Sequence, residues 1–265
     1  MLRPRPARRE DYAAFTRFWH ELQTPQPVFD VERWDALYRP HTLFLEAEGG
    51  ALAAYALVLP FGSRGDVRQI VVDPAWRGRG VGRQLMGVVA DRLRAQGCRE
   101  WRLEVRAENA PAVALYRRVG MTIVYELYVF KLPRAAVERF AASRSGALHV
   151  EHVAGATHDG ELEARFDLGA GQLERFRAAR PEAVLLQVPG AAVTHYHPVF
   201  LPDCGLLFPF RAPDADHAAH LFAEVLAVGV PDFVEICVAD APVAAALRAA
   251  GNEPYEHQLE MGGPL

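Results

Sequence analysis

The chain has 265 residues, of which 51% are hydrophobic and 23% charged, and its formal net charge at pH 7 is −4. This composition is typical of a folded globular protein and excludes a disordered chain. No run of about 18 uncharged apolar residues occurs, and the basic N-terminus precedes no apolar core, so we expect neither a transmembrane helix nor a secretory signal. Three widely spaced cysteines, Cys98, Cys204 and Cys237, exclude a disulfide framework and favour a reducing cytoplasm.

The charge is divided unevenly along the chain. Residues 1–132 contain 20 of the 29 basic and 15 of the 33 acidic residues, whereas residues 133–265 contain the remaining 9 and 18. The first half is therefore at +5 and the second at −9. A basic half suits an anionic ligand such as a phosphate-bearing cofactor. No basic run with interleaved aromatic residues occurs, so the sequence does not indicate a nucleic-acid partner.

In the first half, predicted strands alternate with predicted helices. Apolar spacing of three and four residues predicts helices, and alternating apolar residues between turn signals predict strands. In chain order these are a strand at 1–4, helices at Asp11–Leu22 and Val31–Tyr38, strands at Thr42–Ala47, Ala51–Leu59 and Asp66–Val72, a helix at Gly82–Gln96, a strand at Trp101–Arg106, a helix at Asn109–Val119 and one or two strands in Thr122–Leu132.

The second half repeats this order less clearly. The same criteria predict strands at Ala147–Val153, Ala183–Val188, Ala191–His197 and Leu206–Phe210, a helix at Asp214–Val228, a strand at Phe233–Val238, a helix at Pro242–Ala250 and a strand at Tyr255–Met261.

The two halves also match at an offset of 131 residues. This shift lays Ala110–Ala114 over Ala241–Ala245 and Gly120 over Gly251. Agreement of a strand, a helix and the gaps between them indicates an internal repeat. We therefore predict an α/β (α+β) protein of two tandem domains, each a mixed central β-sheet flanked by helices. The predicted boundaries are residues 1–132, a linker at 133–146, and residues 147–265.

The segment with the clearest chemical signature runs from Val72 to Gly82, where a strand ends and an Arg/Gly loop opens into an amphipathic helix. Backbone N–H groups at a helix N-terminus attract phosphate oxygens, and glycine allows close backbone approach. The glycine spacing differs from that of a dinucleotide-binding fingerprint, and no Walker Gly-Lys-Ser/Thr follows. The residues expected to surround the phosphates are Arg77, Gly78, Arg79, Gly80, Val81, Gly82 and Arg83.

This segment resembles motif A of the GNAT superfamily of N-acetyltransferases, whose fixed positions are Arg77, Gly80 and Gly82 here. In that family the loop holds the pyrophosphate of acetyl-CoA, so the resemblance implies acetyl-CoA as the cosubstrate. It also implies that the preceding strand pairs its backbone with the pantetheine arm. The strand residues concerned are Ile70, Val71 and Val72.

A second segment, residues 103–121, looks like motif B of the same family, although Met121 stands where a Phe is usual. The resemblance implies that Asn109 contacts the pantetheine and that Tyr116 faces the cofactor sulfur. The residues around Glu104 are similar to those of the branch that acetylates ribosomal-protein N-termini, where the matching Glu is the base. The resemblance covers roughly residues 1–132 and is weak over 1–65, where substrates are usually chosen.

Acyl transfer to an amine requires a proton acceptor for the amine and a proton donor for the leaving thiolate. Glu104 and Tyr116 are the expected base and acid. Glu104 alternates with apolar neighbours, so it points to the opposite face of its strand, but periodicity does not say which face holds the substrate. Asp66, Gln69 or a water chain are alternative bases. Asn109 also fits a plain helix cap.

Two histidine pairs have spacings compatible with metal binding, namely His195 with His197 and His217 with His220. No third ligand recurs near either pair, so we expect no metal and interpret these residues as surface or interface histidines.

The second copy lacks the motif residues. Arg77–Gly82 falls on 208–213, which contain two prolines and no glycine, and Tyr116 falls on Leu247. Proline lacks the N–H group that a phosphate site needs. We therefore expect residues 1–132 to form a catalytic GNAT domain and residues 147–265 to form a degenerate copy without a CoA site.

The sequence thus predicts an N-acetyltransferase that passes acetyl from acetyl-CoA to a primary amine by direct attack in a ternary complex. A small-molecule amine is favoured because the fused second half should narrow access to the cleft. Acetylation of a protein N-terminus is one alternative, and a non-catalytic acyl-CoA-responsive binding module is another. We expect a monomer or homodimer with no nucleic-acid or membrane partner.

Overall fold

The computed structural model describes residues 2–24, 27–153, 155–201 and 203–265, and the chain forms two compact units. Unit 1 comprises Met1–Val105, Asn109–Val124 and Glu260–Leu265, and unit 2 comprises Arg106–Glu108 and Tyr125–Leu259. This division differs from the predicted one, because the chain returns to unit 1 for its last six residues.

Unit 1 follows the predicted order of elements closely. Its strands are β1 (Arg3–Pro6), β2 (Thr42–Glu46), β3 (Leu52–Phe61), β4 (Arg64–Val72) and β5 (Glu100–Arg106), and its helices are α1 (Tyr12–Glu21), α2 (Val31–Arg33, continued by a π-helical turn at Trp34–Tyr38), α3 (Val81–Ala95) and α4 (Ala110–Arg118).

The sheet of unit 1 has the order β1–β2–β3–β4–β5. β1 to β4 are successively antiparallel, whereas β4 and β5 are parallel because α3 connects them. The C-terminal residues of the chain lie beside β5, where the Leu265 N–H donates to the Arg99 carbonyl at 2.9 Å. Unit 1 therefore depends on a strand that is distant in sequence.

The two faces of this sheet are covered by different helices. On one face, α1 contributes Phe15, which is fully buried and lies 5.4 Å from Trp34 and 5.9 Å from Tyr55, ring to ring. On the other face, a Cβ on Gly65 of β4 would lie 2.4 Å from a methyl carbon of Leu93, so α3 packs directly against the strand. Each fully buried aromatic side chain stabilises the fold by roughly 1.5–3 kcal/mol.

Unit 2 contains most of the second half. Its elements are β6 (Thr122–Pro133, which begins in unit 1), α5 (Arg134–Ala142), β7 (Glu151–His152), α6 (Asp159–Arg165), α7 (Gln172–Ala179), β8 (Val184–Val188), β9 (Ala192–Leu201), β10 (Cys204–Arg211), α8 (Ala215–Val228), β11 (Phe233–Val238), α9 (Ala241–Ala249) and β12 (Glu256–Pro264, which ends in unit 1).

The strands of unit 2 follow the order β12–β6–β11–β10–β9–β8–β7, with β10 and β11 parallel. The predicted class, a mixed sheet flanked by helices, is confirmed. Within the described residues, none of the helices is both long and apolar enough to cross a membrane.

Three helices of unit 2 were not predicted. The expected linker, 133–146, contains α5, whose Val137 and Phe140 are buried in the core of unit 2. In the sequence, Pro133 suggests the end of a secondary-structure element, but proline is also compatible with the start of a helix. α6 and α7 are short helices, and only residues 151–152 of the expected strand at Ala147–Val153 form a strand.

Candidate active site

The parallel strands β4 and β5 pair only at their beginnings. The pairs run from Arg64 opposite Glu100 to Asp66 opposite Arg102. β4 then continues for six residues and β5 for four, and in the described part of the chain these residues form no further β4–β5 pairs. The sheet therefore opens between the two strands at their carboxyl ends, where ligands of α/β folds commonly bind.

A bulge in β4 accompanies this opening. Val67 pairs with Val58 and Gln69 pairs with Leu57, so Arg68 is the extra residue of the bulge. Bulges bend a strand and redirect its backbone groups. The predicted strand residues Ile70, Val71 and Val72 follow the bulge and line the edge of β4 at the opening; of their side chains, Val71 is buried against the α1 face.

The Arg/Gly loop lies at the end of β4 and leads into α3. Gly78 and Gly80 have φ of +73° and +78°, which side-chain-bearing residues rarely adopt. A Cβ on either would meet no heavy atom within 4 Å, so this surface of the loop is open. The Gln84 N–H donates to the Gly80 carbonyl at 3.1 Å and so begins the α3 ladder. The preceding N–H groups, including those of Val81 and Gly82, lie in the first turn, where helices offer donors to anions.

The arginines around this loop are not equivalent. Arg77 donates to the Val72 carbonyl at 3.0 Å and pairs with Glu21 at 2.7 Å, so it secures the loop to β4 and α1. The Arg79 guanidinium lies 5.8 Å from the Trp76 ring centre. Arg79 and Arg83 are both exposed and keep positive charge at this end of α3.

Asn109 caps α4. Its side-chain oxygen accepts the Ala112 N–H at 3.2 Å, and Pro111 occupies the first turn. The cap interpretation of Asn109 is therefore confirmed, whereas the expected contact with a pantetheine arm stays a prediction.

Tyr116 lies on α4, which contacts α3, since a Cβ on Gly82 would be 3.0 Å from Leu115. Only 5% of Tyr116 is exposed, and burial raises the pKa of its hydroxyl to about 12. Tyr116 is therefore a protonated phenol at any physiological pH.

Glu104 is exposed on β5, between the buried residues Leu103 and Val105. Side chains alternate along a strand, so Glu104 and Arg102 are on the same face of β5. Arg102 lies opposite Asp66 of β4, and the register of β4 with β3 places Asp66 on the α1 face of the sheet. Glu104 and Tyr116 thus belong to opposite faces of the sheet, on either side of the opening between β4 and β5.

The two alternative bases are already engaged. Asp66, 9% exposed, lies 3.2 Å from the Arg64 Nε; burial raises the pKa of its carboxyl, and the charges of Arg64 and Arg68 oppose this shift. The Gln69 side-chain oxygen accepts the Tyr55 hydroxyl at 2.7 Å.

One charged contact near Glu104 has no signal in the sequence. Glu260, from the C-terminal strand, pairs with Arg102 at 3.0 Å, and both are largely buried. The two residues are 158 positions apart. Only the pairing of β12 beside β5 brings them together, and no local pattern reports such a pairing.

Three of the four histidines in these pairs differ from their expected surface location. His195 and His197 are buried in β9 with ring centres 4.4 Å apart, and His220 is buried in α8. Burial, aided by the charge of Arg177, lowers the pKa of His195 to about 4. Within the described residues, no group of three or more metal-ligating side chains is assembled.

Comparison with known proteins finds matches to acetyltransferases. Residues 8–121 match the model of the acetyltransferase (GNAT) family. The chain is 38% identical over 100 residues to a mycothiol acetyltransferase of Beutenbergia cavernae, covering 37% of this chain and 33% of that protein. It is 40% identical over 101 residues to the N-alpha-acetyltransferase RimI of Mycobacterium tuberculosis, covering 36% and 60%. The matches thus span between a third and three fifths of these relatives.

Among solved structures, a tandem GNAT protein from the clavulanic acid biosynthesis pathway covers 100% of this chain and 98% of its own length. The TM-score is 0.64 at 16% identity. At this identity the likeness concerns the fold alone, and it extends over both units.

Proposed function

We propose that unit 1, whose residues 8–121 match the model of the GNAT family of acetyltransferases, transfers an acetyl group from acetyl-CoA to a primary amine by direct attack in a ternary complex. The observation that carries this proposal is the opening between β4 and β5, whose pairing ends at Asp66 and Arg102 beside a glycine-rich helix N-terminus. This arrangement suits a ligand with a long arm and an anionic group.

The residues of the loop fit the pyrophosphate of acetyl-CoA. The first-turn N–H groups of α3 would hold its oxygens, the left-handed Gly78 and Gly80 keep that surface free of side chains, and Arg79 and Arg83 add positive charge. The edge of β4 at residues 70–72 offers backbone groups to the pantetheine arm, with Asn109 near the same end. When bound, acetyl-CoA supplies the acetyl group as a reactive thioester.

The proposed base is Glu104 and the proposed acid is Tyr116. A primary amine is protonated at neutral pH and must lose that proton before it can attack. The exposed Glu104 carboxylate would accept the proton. Tyr116 would hold a proton at Oη for the departing thiolate, and its raised pKa keeps that proton in place. The two residues lie on opposite faces of the sheet, so acceptor and leaving group would be served from opposite sides.

We favour a small-molecule amine as acceptor, in line with the relative that is named a mycothiol acetyltransferase. Acetylation of a protein N-terminus is the second candidate, favoured by the relative named as an N-alpha-acetyltransferase. A non-catalytic acyl-CoA-binding module is the third, and it requires that no amine is acetylated.

The test is release of CoA from acetyl-CoA with two acceptor panels, small primary amines and peptides with free N-termini. We expect turnover with one panel and a loss of about a hundredfold in kcat for Glu104→Gln. Glu108→Gln, an exposed carboxylate four residues along the chain, is the matched control and should keep wild-type activity. If acetyl-CoA binds tightly but no amine is acetylated, the result would favour the acyl-CoA-binding module over the transferase.

A further inference from the structure

Unit 2 has a cavity of its own at the carboxyl ends of its parallel strands β10 and β11. Its volume is about 420 Å³, within the range of small-molecule sites. It lies where the two strands have ceased to pair, because their pairs end at Leu207 and Ile236 while β10 continues to Arg211. The lining residues that carry the argument are Tyr125, Arg165, Phe166, Arg211, Ala212 and Asp240.

The same end of unit 2 is unsuited to a pyrophosphate. Only three residues, 212–214, join β10 to α8, whereas eight, 73–80, join β4 to α3. Pro213 lacks an N–H group. The Asp214 carboxylate accepts the His217 N–H at 2.9 Å and so places a negative charge at the start of α8. An anion as large as CoA would meet a short, acidic loop here.

Two guanidinium groups border the cavity. Arg211 is oriented by its bonds to the Phe210 carbonyl at 3.2 Å and the Tyr125 hydroxyl at 2.9 Å, which use two of its five donors. Arg165 is exposed and lies against Gly190, where a Cβ would be 3.6 Å from its Cζ. Paired guanidinium donors suit a carboxylate.

A carboxylate borders the same cavity. Asp240 Oδ2 accepts the Ala212 N–H at 3.1 Å, which fixes the side chain at the wall. Burial raises the pKa of Asp240, against the effects of that hydrogen bond and of Arg211. A partly buried carboxylate of this kind is stabilised by a further cation. The rest of the lining consists of a second carboxylate, Asp167, which is exposed, and of the apolar residues Phe166, Ala191, Ala212, Pro213 and Ala239.

We propose that this cavity binds an α-amino acid with an aliphatic side chain such as that of leucine, the carboxylate toward Arg165 and Arg211 and the ammonium toward Asp240. Unit 2 is then a ligand-binding module in its own right. The proposal is independent of acetyl transfer in unit 1, since every residue it uses belongs to unit 2.

The experiment is calorimetric titration of the full-length protein, without acetyl-CoA, with L-leucine and with two analogues that each lack one of its charged groups. These are 4-methylpentanoate, which lacks the ammonium, and 3-methylbutylamine, which lacks the carboxylate. We expect one leucine site per chain. Each analogue should bind at least about tenfold more weakly than leucine, because it loses one charge-assisted contact.

Variants locate the site. Arg165→Ala should weaken leucine at least about tenfold, whereas Arg139→Ala, an exposed arginine on α5, should leave it unchanged. Asp240→Asn should remove the preference for leucine over 4-methylpentanoate. The proposal is overturned if leucine does not bind, if it binds Arg165→Ala as tightly as wild type, or if 4-methylpentanoate binds as well as leucine. If Arg165→Ala unfolds at the same temperature as wild type, its loss of leucine affinity does not come from a loss of folding.

Discussion

At the scale of single residues, Tyr116 gives the most direct test of the proposed chemistry. Replacing it by Phe keeps the buried ring and removes only the proton donor. We expect kcat to fall about a hundredfold, within the usual contribution of a general acid, while acetyl-CoA affinity changes by less than about threefold. Because the pKa of Tyr116 is about 12, its ionisation should cause no loss of wild-type activity up to about pH 10.

Steady-state kinetics and calorimetry measure these two quantities separately. Tyr255→Phe removes a hydroxyl of unit 2 that donates to Glu235 at 2.6 Å, and it is the matched control, expected to retain wild-type kcat. A Tyr116→Phe enzyme with normal kcat would assign Tyr116 to packing alone.

His195 gives a prediction about stability and pH. Its folded pKa is about 4, lowered by burial and the charge of Arg177 against the opposing charge of Asp159, and its ordinary value is 6.5. Below pH 6.5 the unfolded chain binds a proton that the folded chain does not, so stability falls as pH falls toward 4. The contribution is at most about 3 kcal/mol.

Urea unfolding at pH 7.5 and 4.5 measures this effect. His195→Phe keeps the stacking on Phe176, 5.6 Å away ring to ring, and cannot be protonated, so its free energy of unfolding should depend less on pH than that of wild type. His149→Gln, at a side chain that is 81% exposed, is the control and should show the wild-type dependence. Identical pH dependence in all three proteins would contradict a depressed His195 pKa.

At the scale of elements, the α3 N-terminus can be tested against the other end of the same helix. Gly80 and Gly97 have φ of +78° and +86°, and a Cβ on either meets nothing within 4 Å. Glu at either position therefore costs a similar amount in backbone strain, about 1–2 kcal/mol. Only Gly80→Glu places a carboxylate where the pyrophosphate would lie. We expect it to weaken acetyl-CoA at least about tenfold by calorimetry, with Gly97→Glu unaffected, and equal losses would argue against a phosphate site at this loop.

The elements differ in how well the sequence predicts them. α3 and α4 were predictable because each has apolar periodicity and a glycine two residues after its end, Gly97 and Gly120. α6 and α7 have only seven and eight residues, which is too short for apolar periodicity to identify a helix, and α6 contains Gly160. For the site, the loop of residues 77–83 lies at the α3 N-terminus as expected, but the ion pair between Arg102 and Glu260 depends on strand pairing that no local pattern encodes.

At the scale of the whole molecule, the internal repeat indicated two similar folds, but not where the chain passes from one to the other. β6 begins in unit 1 and ends in unit 2, and β12 does the reverse. A long strand reads as one element in sequence, and hydrophobic alternation is the same on both sides of such a passage. The predicted boundary at residue 132 therefore cuts through a protein whose first unit is completed by its last residues.

That passage predicts that residues 1–132 do not form a stable domain alone. Without residues 260–265, β5 becomes an exposed edge, Arg102 loses Glu260, and the Gly120 carbonyl loses the close packing of Gly263, where a Cβ would lie only 2.8 Å away. We expect the fragment to unfold at least about 10 °C below the full chain, or to aggregate, and to bind acetyl-CoA poorly.

The same fragment joined by a flexible linker to residues 256–265 should recover part of both losses, and a scrambled tail of equal length should not. Thermal unfolding and calorimetry of the three fragments decide the matter, because equal stability and binding with and without the native tail would mean that unit 1 is complete by residue 132.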